Sequence, residues 1–267
     1  MPDFTAQDVK RLRDLTGAGM MDAKKALVEN DGDFEAAGKW LRERGLGKAA
    51  ERSGRENSEG AVAVARDANA AAMVELRCET DFVAKSPQFV QMANELAELV
   101  AKSGEAALAD RQSSIDDLKI TLKENIALGQ VVRFEAAEGA VLDTYNHVQN
   151  GRGVNAVLVE LQGGDVALAH DIAVHVAFAK PGTLRREDVA PELVEEERES
   201  LLKETANEGK PEAAWPKIVD GKLGGWFKRQ PGGSLLEQPY AKDDKQSVQQ
   251  VLGKASVTRF AQVIIGA

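Results

Sequence analysis

Cysteine occurs once in this chain, at Cys78, and histidine three times, at His147, His170 and His175. A single thiol closes no intrachain disulfide, so packing must hold the fold, and a reducing compartment is the simplest expectation. None of the histidines belongs to a metal-spaced cluster with cysteine or carboxylates. His170 and His175, five residues apart, would leave a helix on different sides; structural and surface-contact roles both stay open for them. Cationic residues are in deficit, 34 Lys and Arg against 43 Asp and Glu, giving a net charge of −9. General nucleic-acid affinity needs cations to displace counterions from phosphates, so no direct nucleic-acid partner is expected, although a local basic patch is compatible with the total. No apolar run approaches the ~18 residues of a membrane helix, and Met1-Pro2-Asp3-Phe4 begins no signal peptide. No phosphate-binding G-x-x-x-x-G-K-[ST] loop and no G-x-G-x-x-G fingerprint after a strand is present, so the chain itself should not hold a nucleotide tightly. The expectation is a cytoplasmic protein with no cofactor, no metal and no membrane partner. Its 267 residues, 43% hydrophobic and 29% charged, suit one large or two to three small globular domains.

What is there is a repeat. Glu59-Gly60-Ala61-Val62 recurs as Glu138-Gly139-Ala140-Val141, and Val74-Glu75-Leu76 as Val159-Glu160-Leu161. Met92-Ala93 with Leu96-Ala97 and Val100-Ala101 recurs as Leu168-Ala169 with Ile172-Ala173 and Val176-Ala177. Between strand and helix the first copy has 15 residues (77 to 91) and the second 6 (162 to 167). The second copy shows that the unit connects without the extra 9, so Thr80-Asp81-Phe82-Val83 is an insertion that folding does not require. Loops on a rigid scaffold carry function, and Phe82 stands between Asp81 and Lys85. Two readings are open: Phe82 folds back as core, or the loop is a probe. Cys78, just before it, could be a nucleophile only with a base beside it; the alternative is a small apolar residue at a strand end.

The pattern along the chain is α+β. Thr5-Ala6-Gln7-Asp8 reads as a capping box before Val9, Leu12 and Leu15 at helical spacing. Gly17-Ala18-Gly19 breaks that helix. A second helix fits Met20 to Asn30, with Met21, Ala23, Ala26 and Leu27 as candidate core. Asp33 caps a third, carrying Phe34, Ala37, Trp40 and Leu41 and ending at Gly45 and Gly47. Lys10, Arg11, Arg13, Lys24 and Lys25 form either a solvated face or a docking face for an acidic surface. Residues 46 to 58 read as a linker. Domains are expected at 1–55 (three-helix bundle with linker), 56–139 (a sheet-plus-helix unit with the inserted loop) and 140–267 (a related unit). The last carries a helical hairpin at about 187–229. Residues 187 to 208 hold nine Asp or Glu against two Lys or Arg. Pro87 should open the helix with the stripe Phe89, Met92, Ala93, Leu96, Leu99 and Val100. Ser256 to Ile264 should be a last strand rejoining the sheet.

Four stretches carry a resemblance over nearly the whole length. They are Leu12-Arg13-Asp14-Leu15-Thr16-Gly17-Ala18-Gly19-Met20-Met21-Asp22-Ala23-Lys24-Lys25-Ala26-Leu27, then Cys78-Glu79-Thr80-Asp81-Phe82-Val83. The third is His170-Asp171-Ile172-Ala173-Val174-His175-Val176-Ala177, leading to Lys180-Pro181. The fourth is Asn207-Glu208-Gly209-Lys210-Pro211 with Leu235-Leu236-Glu237-Gln238-Pro239-Tyr240. In these the chain resembles the bacterial elongation factor Ts family. The resemblance implies a ubiquitin-associated-like bundle, two related core subdomains and an inserted helical hairpin. It implies a guanine-nucleotide exchange factor that binds elongation factor Tu, GDP-bound and nucleotide-free, without catalytic chemistry of its own. Leu12, Gly17, Gly19, Met20, Met21 and Lys24 of the bundle, with Thr80, Asp81, Phe82 and Val83, would address the partner's GTP-binding domain. Asp81 and Phe82 would push in near its magnesium site, and His170 and His175 would meet another of its domains. Two rivals are a ubiquitin-like-binding adaptor using the bundle alone and a cysteine hydrolase.

Overall fold

The computed structural model describes residues 4–267. Three helices come first: α1 (Ala6–Thr16), α2 (Met20–Glu29) and α3 (Phe34–Arg52). The Thr5 and Asp8 side chains and backbones close the capping box at the start of α1, and the Asp33 carboxylate takes the N–H groups of Glu35 and Ala36 at the start of α3. Leu12, Ala23, Ala26, Leu27, Ala37 and Leu41 fill the small core between them. Met21, expected inside, is 74% exposed. A ten-residue helix has room for one inward stripe, and Ala23, Ala26 and Leu27 take it.

Gly45 and Gly47 do not end α3, and the expected linker shrinks to 53–58. The helix passes through both and packs along α6 (Gln112–Leu122). A Cβ on Gly45 would lie 2.8 Å from Ile120 Cγ2, so glycine is what lets the two helices approach. Arg42 is also hydrogen-bonded to Asp117 and Ser113. The bundle is therefore docked on the core.

That core is two three-stranded antiparallel sheets. The first has the order β1 (Glu59–Asp67), β2 (Ala70–Cys78), β3 (Ala127–Glu135); the second β4 (Ala140–Gln149), β5 (Arg152–Gln162), β8 (Ser256–Ile264). Alternation along the strands divides the side chains. Ala61, Ala63, Val74 and Leu76 meet α5 (Pro87–Ser103), whose stripe Phe89, Ala93, Leu96 and Val100 is buried. Val157, Val159 and Leu161 meet α7 (Val166–Ala179). Between the sheets lie Val62, Met73, Phe134, Leu158 and Val263. The layers run α5, sheet, sheet, α7, and the molecule is α+β.

The repeat holds in detail. Glu75 and Glu160 are both buried, each beside a break in strand register. Glu75 accepts from Arg77 and from the Gln130 N–H at 2.8 Å. Glu160 accepts from Thr258 at 2.7 Å, Arg259 at 2.8 Å and the Ala137 N–H at 3.0 Å. Burial alone would raise the Glu160 pKa, but the bonds from Arg259, Thr258 and Ala137 outweigh it and hold it below the ordinary range.

After α7, helices α8 (Pro191–Asn207) and α9 (Trp215–Phe227) pack on each other through Leu201, Val219, Leu223 and Phe227. A small ribbon, β6 (Pro239–Tyr240) with β7 (Asp243–Ser247), and the short α10 (Val248–Leu252) lead into β8. No helix among the described residues is long and apolar enough to cross a membrane.

Candidate protein-binding surface

The insertion after β2 contains a one-turn helix, α4 (Asp81–Ala84), where an open loop was expected. Thr80 caps it: its Oγ1 accepts from the Val83 N–H at 3.3 Å and donates to Glu124 Oε1 at 2.5 Å. The other Glu124 oxygen accepts from the N–H groups of Glu79 and Thr80, at 3.0 and 3.1 Å. Glu79 in turn accepts from the Asn125 N–H at 2.7 Å, and Asn125 Nδ2 donates to the carbonyls of Ser53 and Arg55. The base of the insertion is thus pinned to the turn after α6 and to the chain leaving α3. Ala84 is buried and Val83 packs against the first core.

Phe82 goes the other way, 80% exposed, which closes the reading of it as core. Beside it, Lys85 Nζ is 2.6 Å from Asp81 Oδ2 and 5.4 Å from the Phe82 ring centroid. The hydrogen bond from Lys85 holds the Asp81 carboxyl below its ordinary pKa. A rigid base, a charged pair and an apolar tip make a projecting knob.

The bundle residues divide in the same way. Met20, Met21 and Lys24 are exposed, with Leu15 beside them. Gly17 ends α1 at φ +65°, and Gly19 opens α2. Leu15, Gly17 and Thr121 line a cleft that also takes in Gln88, at the start of α5 six residues after Phe82. Leu12, however, is 1% exposed in the bundle core, so its expected partner contact is corrected to a packing role.

His170 and His175 lie on α7, on the outer face of the other sheet. His170 is exposed and its Nδ1 is 2.8 Å from Asp143 Oδ2; Asp143 also takes Arg66 from β1 at 2.9 Å. His175 is 1% exposed and presents nothing to a partner. It accepts the Ala241 N–H at Nδ1 (3.1 Å) and pairs through Nε2 with Gln238 Oε1 (3.1 Å). Burial lowers its pKa and the Gln238 bond only partly offsets that, so the ring is neutral and its role is to tie α7 to the 238–241 segment. Sequence reasoning passed over Phe178, exposed three residues beyond it, and Glu124. The inward stripe Ala169, Ile172, Ala173 and Val176 turns Phe178 outward and could have flagged the first; nothing local signals the second.

Cys78 is buried, its Sγ 3.3 Å from the Thr80 carbonyl. Burial, then the Glu124 charge, pushes its thiol up to about 12. Among the described residues no three His, Cys, Asp or Glu side chains cluster as a metal would need.

A family model described as elongation factor TS matches residues 79–267. The elongation factor Ts of Streptomyces griseus subsp. griseus is 44% identical over 283 residues, covering 100% of both chains. That of Clavibacter sepedonicus is 43% identical over 279 residues, again covering 100% of both. That of Paenarthrobacter aurescens is 44% identical over 279 residues, 97% of this chain and 99% of its own. With the match extending through the bundle, the knob and both sheets, the chain belongs to the elongation factor Ts family.

Proposed function

We propose that the chain is a guanine-nucleotide exchange factor, not an enzyme, acting in the cytoplasm on elongation factor Tu in its GDP-bound and nucleotide-free states. The observation that carries this reading is the exposed Phe82 on a rigid base, an arrangement suited to pushing into another protein. Family membership supplies the partner.

In this reading the chain has three parts: a ubiquitin-associated-like bundle (1–55), a subdomain with the knob (56–139) and a subdomain with the α8–α9 hairpin (140–267). Leu15, Gly17, Gly19, Met20, Met21 and Lys24 dock on the GTP-binding domain. Phe82 wedges in beside the phosphate and magnesium site, with Thr80 and Val83 holding the knob. Asp81 either fixes the knob through Lys85 or disturbs the metal's ligands by its charge. His170, with Phe178 nearby on α7, meets a second domain. An exchange factor must bind the nucleotide-free partner more tightly than the bound one, and the nucleotide is then weakened by the same factor. A nanomolar nucleotide has ~12 kcal/mol of binding free energy, more than one wedge can oppose, so the docking faces share the work.

The test is stopped-flow release of labelled GDP from elongation factor Tu. The chain should accelerate release and show no GTP hydrolysis of its own. Tight GDP binding by the chain alone, or an unchanged release rate, would sink the proposal.

A further inference from the structure

The cleft between the bundle and α6 carries a charge opposite to that of the whole chain. Along one wall α3 presents Arg44, Lys48 and Arg52, spaced four apart and so stacked on one face. Opposite stands Lys123, at the left-handed C-terminus of α6. Asp22 is the one carboxylate lining it, 3.8 Å from Lys48. Four cations less one anion leave +3 in a molecule of net −9. The turn into α2 passes here, and Gly19 brings no side chain to cap its first N–H groups. Independently, Arg52 Nη1 is buried with no acceptor, the one charged group among the described buried side-chain atoms so left. Buried donors find acceptors as a rule. No aromatic residue lines the cleft, so nothing there would hold a nucleotide base.

We propose that this cleft binds a small phosphate-type anion, inorganic phosphate or pyrophosphate, that bridges α3 to Lys123 and fastens the bundle to the core. The site is separate from the knob and does not depend on the exchange reading.

The experiment is titration of the full chain with pyrophosphate, and in a second arm phosphate, at constant ionic strength, by calorimetry and amide NMR. Saturable binding with Kd on the order of 1 mM or tighter is expected, with shifts at the amides of 19–23. Arg52→Gln and Lys123→Gln should each weaken it by about tenfold, and Asp22→Asn should tighten it. The double variant Lys203→Gln, Lys217→Gln, on the α8–α9 hairpin, should leave it unchanged. Absence of saturation by ~10 mM, or equal weakening by the hairpin variant, overturns the proposal. Should Arg52→Gln fail to fold, Lys123→Gln at the exposed end of α6 decides alone.

Discussion

Cys78 and Phe82 stand four residues apart, and the fold treats them oppositely: the thiol is sealed in and the ring is put out. A thiol pushed up to about 12 is protonated at neutral pH and makes no nucleophile. Iodoacetamide should therefore leave folded Cys78 unmodified and react once denaturant is added; rapid alkylation of the native chain would revive a cysteine chemistry. His175 is the reverse of a surface ligand. Its folded pKa lies below the unfolded value, so stability is full where both states are neutral. It should fall as pH drops below ~6.5, where the unfolded chain takes up a proton first. His175→Ala leaves Gln238 Oε1 and the Ala241 N–H unpartnered, at ~2–4 kcal/mol together. At ~2–4 °C per kcal/mol, Tm should drop by about 4–16 °C. An unmoved Tm would return His175 to the list of contact residues. Asp81 has the usual carboxylate sign: its pair with Lys85 is intact above the unfolded pKa and lost only as pH falls through the lowered folded one. Asp81→Asn should accordingly keep the fold at neutral pH and lose less exchange than removal of the neighbouring ring.

At the scale of elements, α3 decides how the bundle sits. Gly45→Val would drive a branched side chain into Ile120, at ~1–3 kcal/mol for overpacking. Amide exchange in α1 to α3 should quicken while β2 and β5 keep their protection; unchanged protection throughout would show that the α3–α6 contact does not hold the bundle. The same glycine shows where sequence reading ends. Thr5 and Asp33 were legible as helix starts because a cap is a local bond. Gly45 reads locally as a stop, and only the neighbouring helix explains it as a close approach. The Val74-Glu75-Leu76 repeat was legible as a pattern. Its meaning, a buried glutamate at a register break, was not, because an acid in an apolar strand reads as facing water. The insertion's extra length marked Phe82 for attention, yet its exposure depends on Glu124 and Asn125, more than forty residues away. Leu12 and His175 were misjudged because a motif fixes which residues matter and not which way they face. The short polar β6–β7 ribbon gave no period to read.

At the scale of the molecule, the two-sheet core shares no buried residues with the bundle's own cluster. Deleting residues 1–55 should leave a cooperatively folding core, with Ile120 uncovered, and weaken the complex with elongation factor Tu strongly. A truncated chain without a cooperative transition would make the bundle integral to folding. In the proposed reading, exchange is the combined action of two docking faces and one wedge. Burying a Phe side chain contributes roughly 2–3 kcal/mol. If that burial occurs only in the distorted, nucleotide-free partner, its loss is worth about 10- to 100-fold in rate, at ~1.4 kcal/mol per tenfold. The most direct measurement takes Phe82→Ala, records its melting temperature, and follows GDP release from elongation factor Tu by stopped flow beside the parent chain. An exposed ring leaves no cavity, so Tm should stay within a few degrees while exchange falls at least about tenfold. Exchange at the parental rate in a variant that melts normally would contradict the wedge.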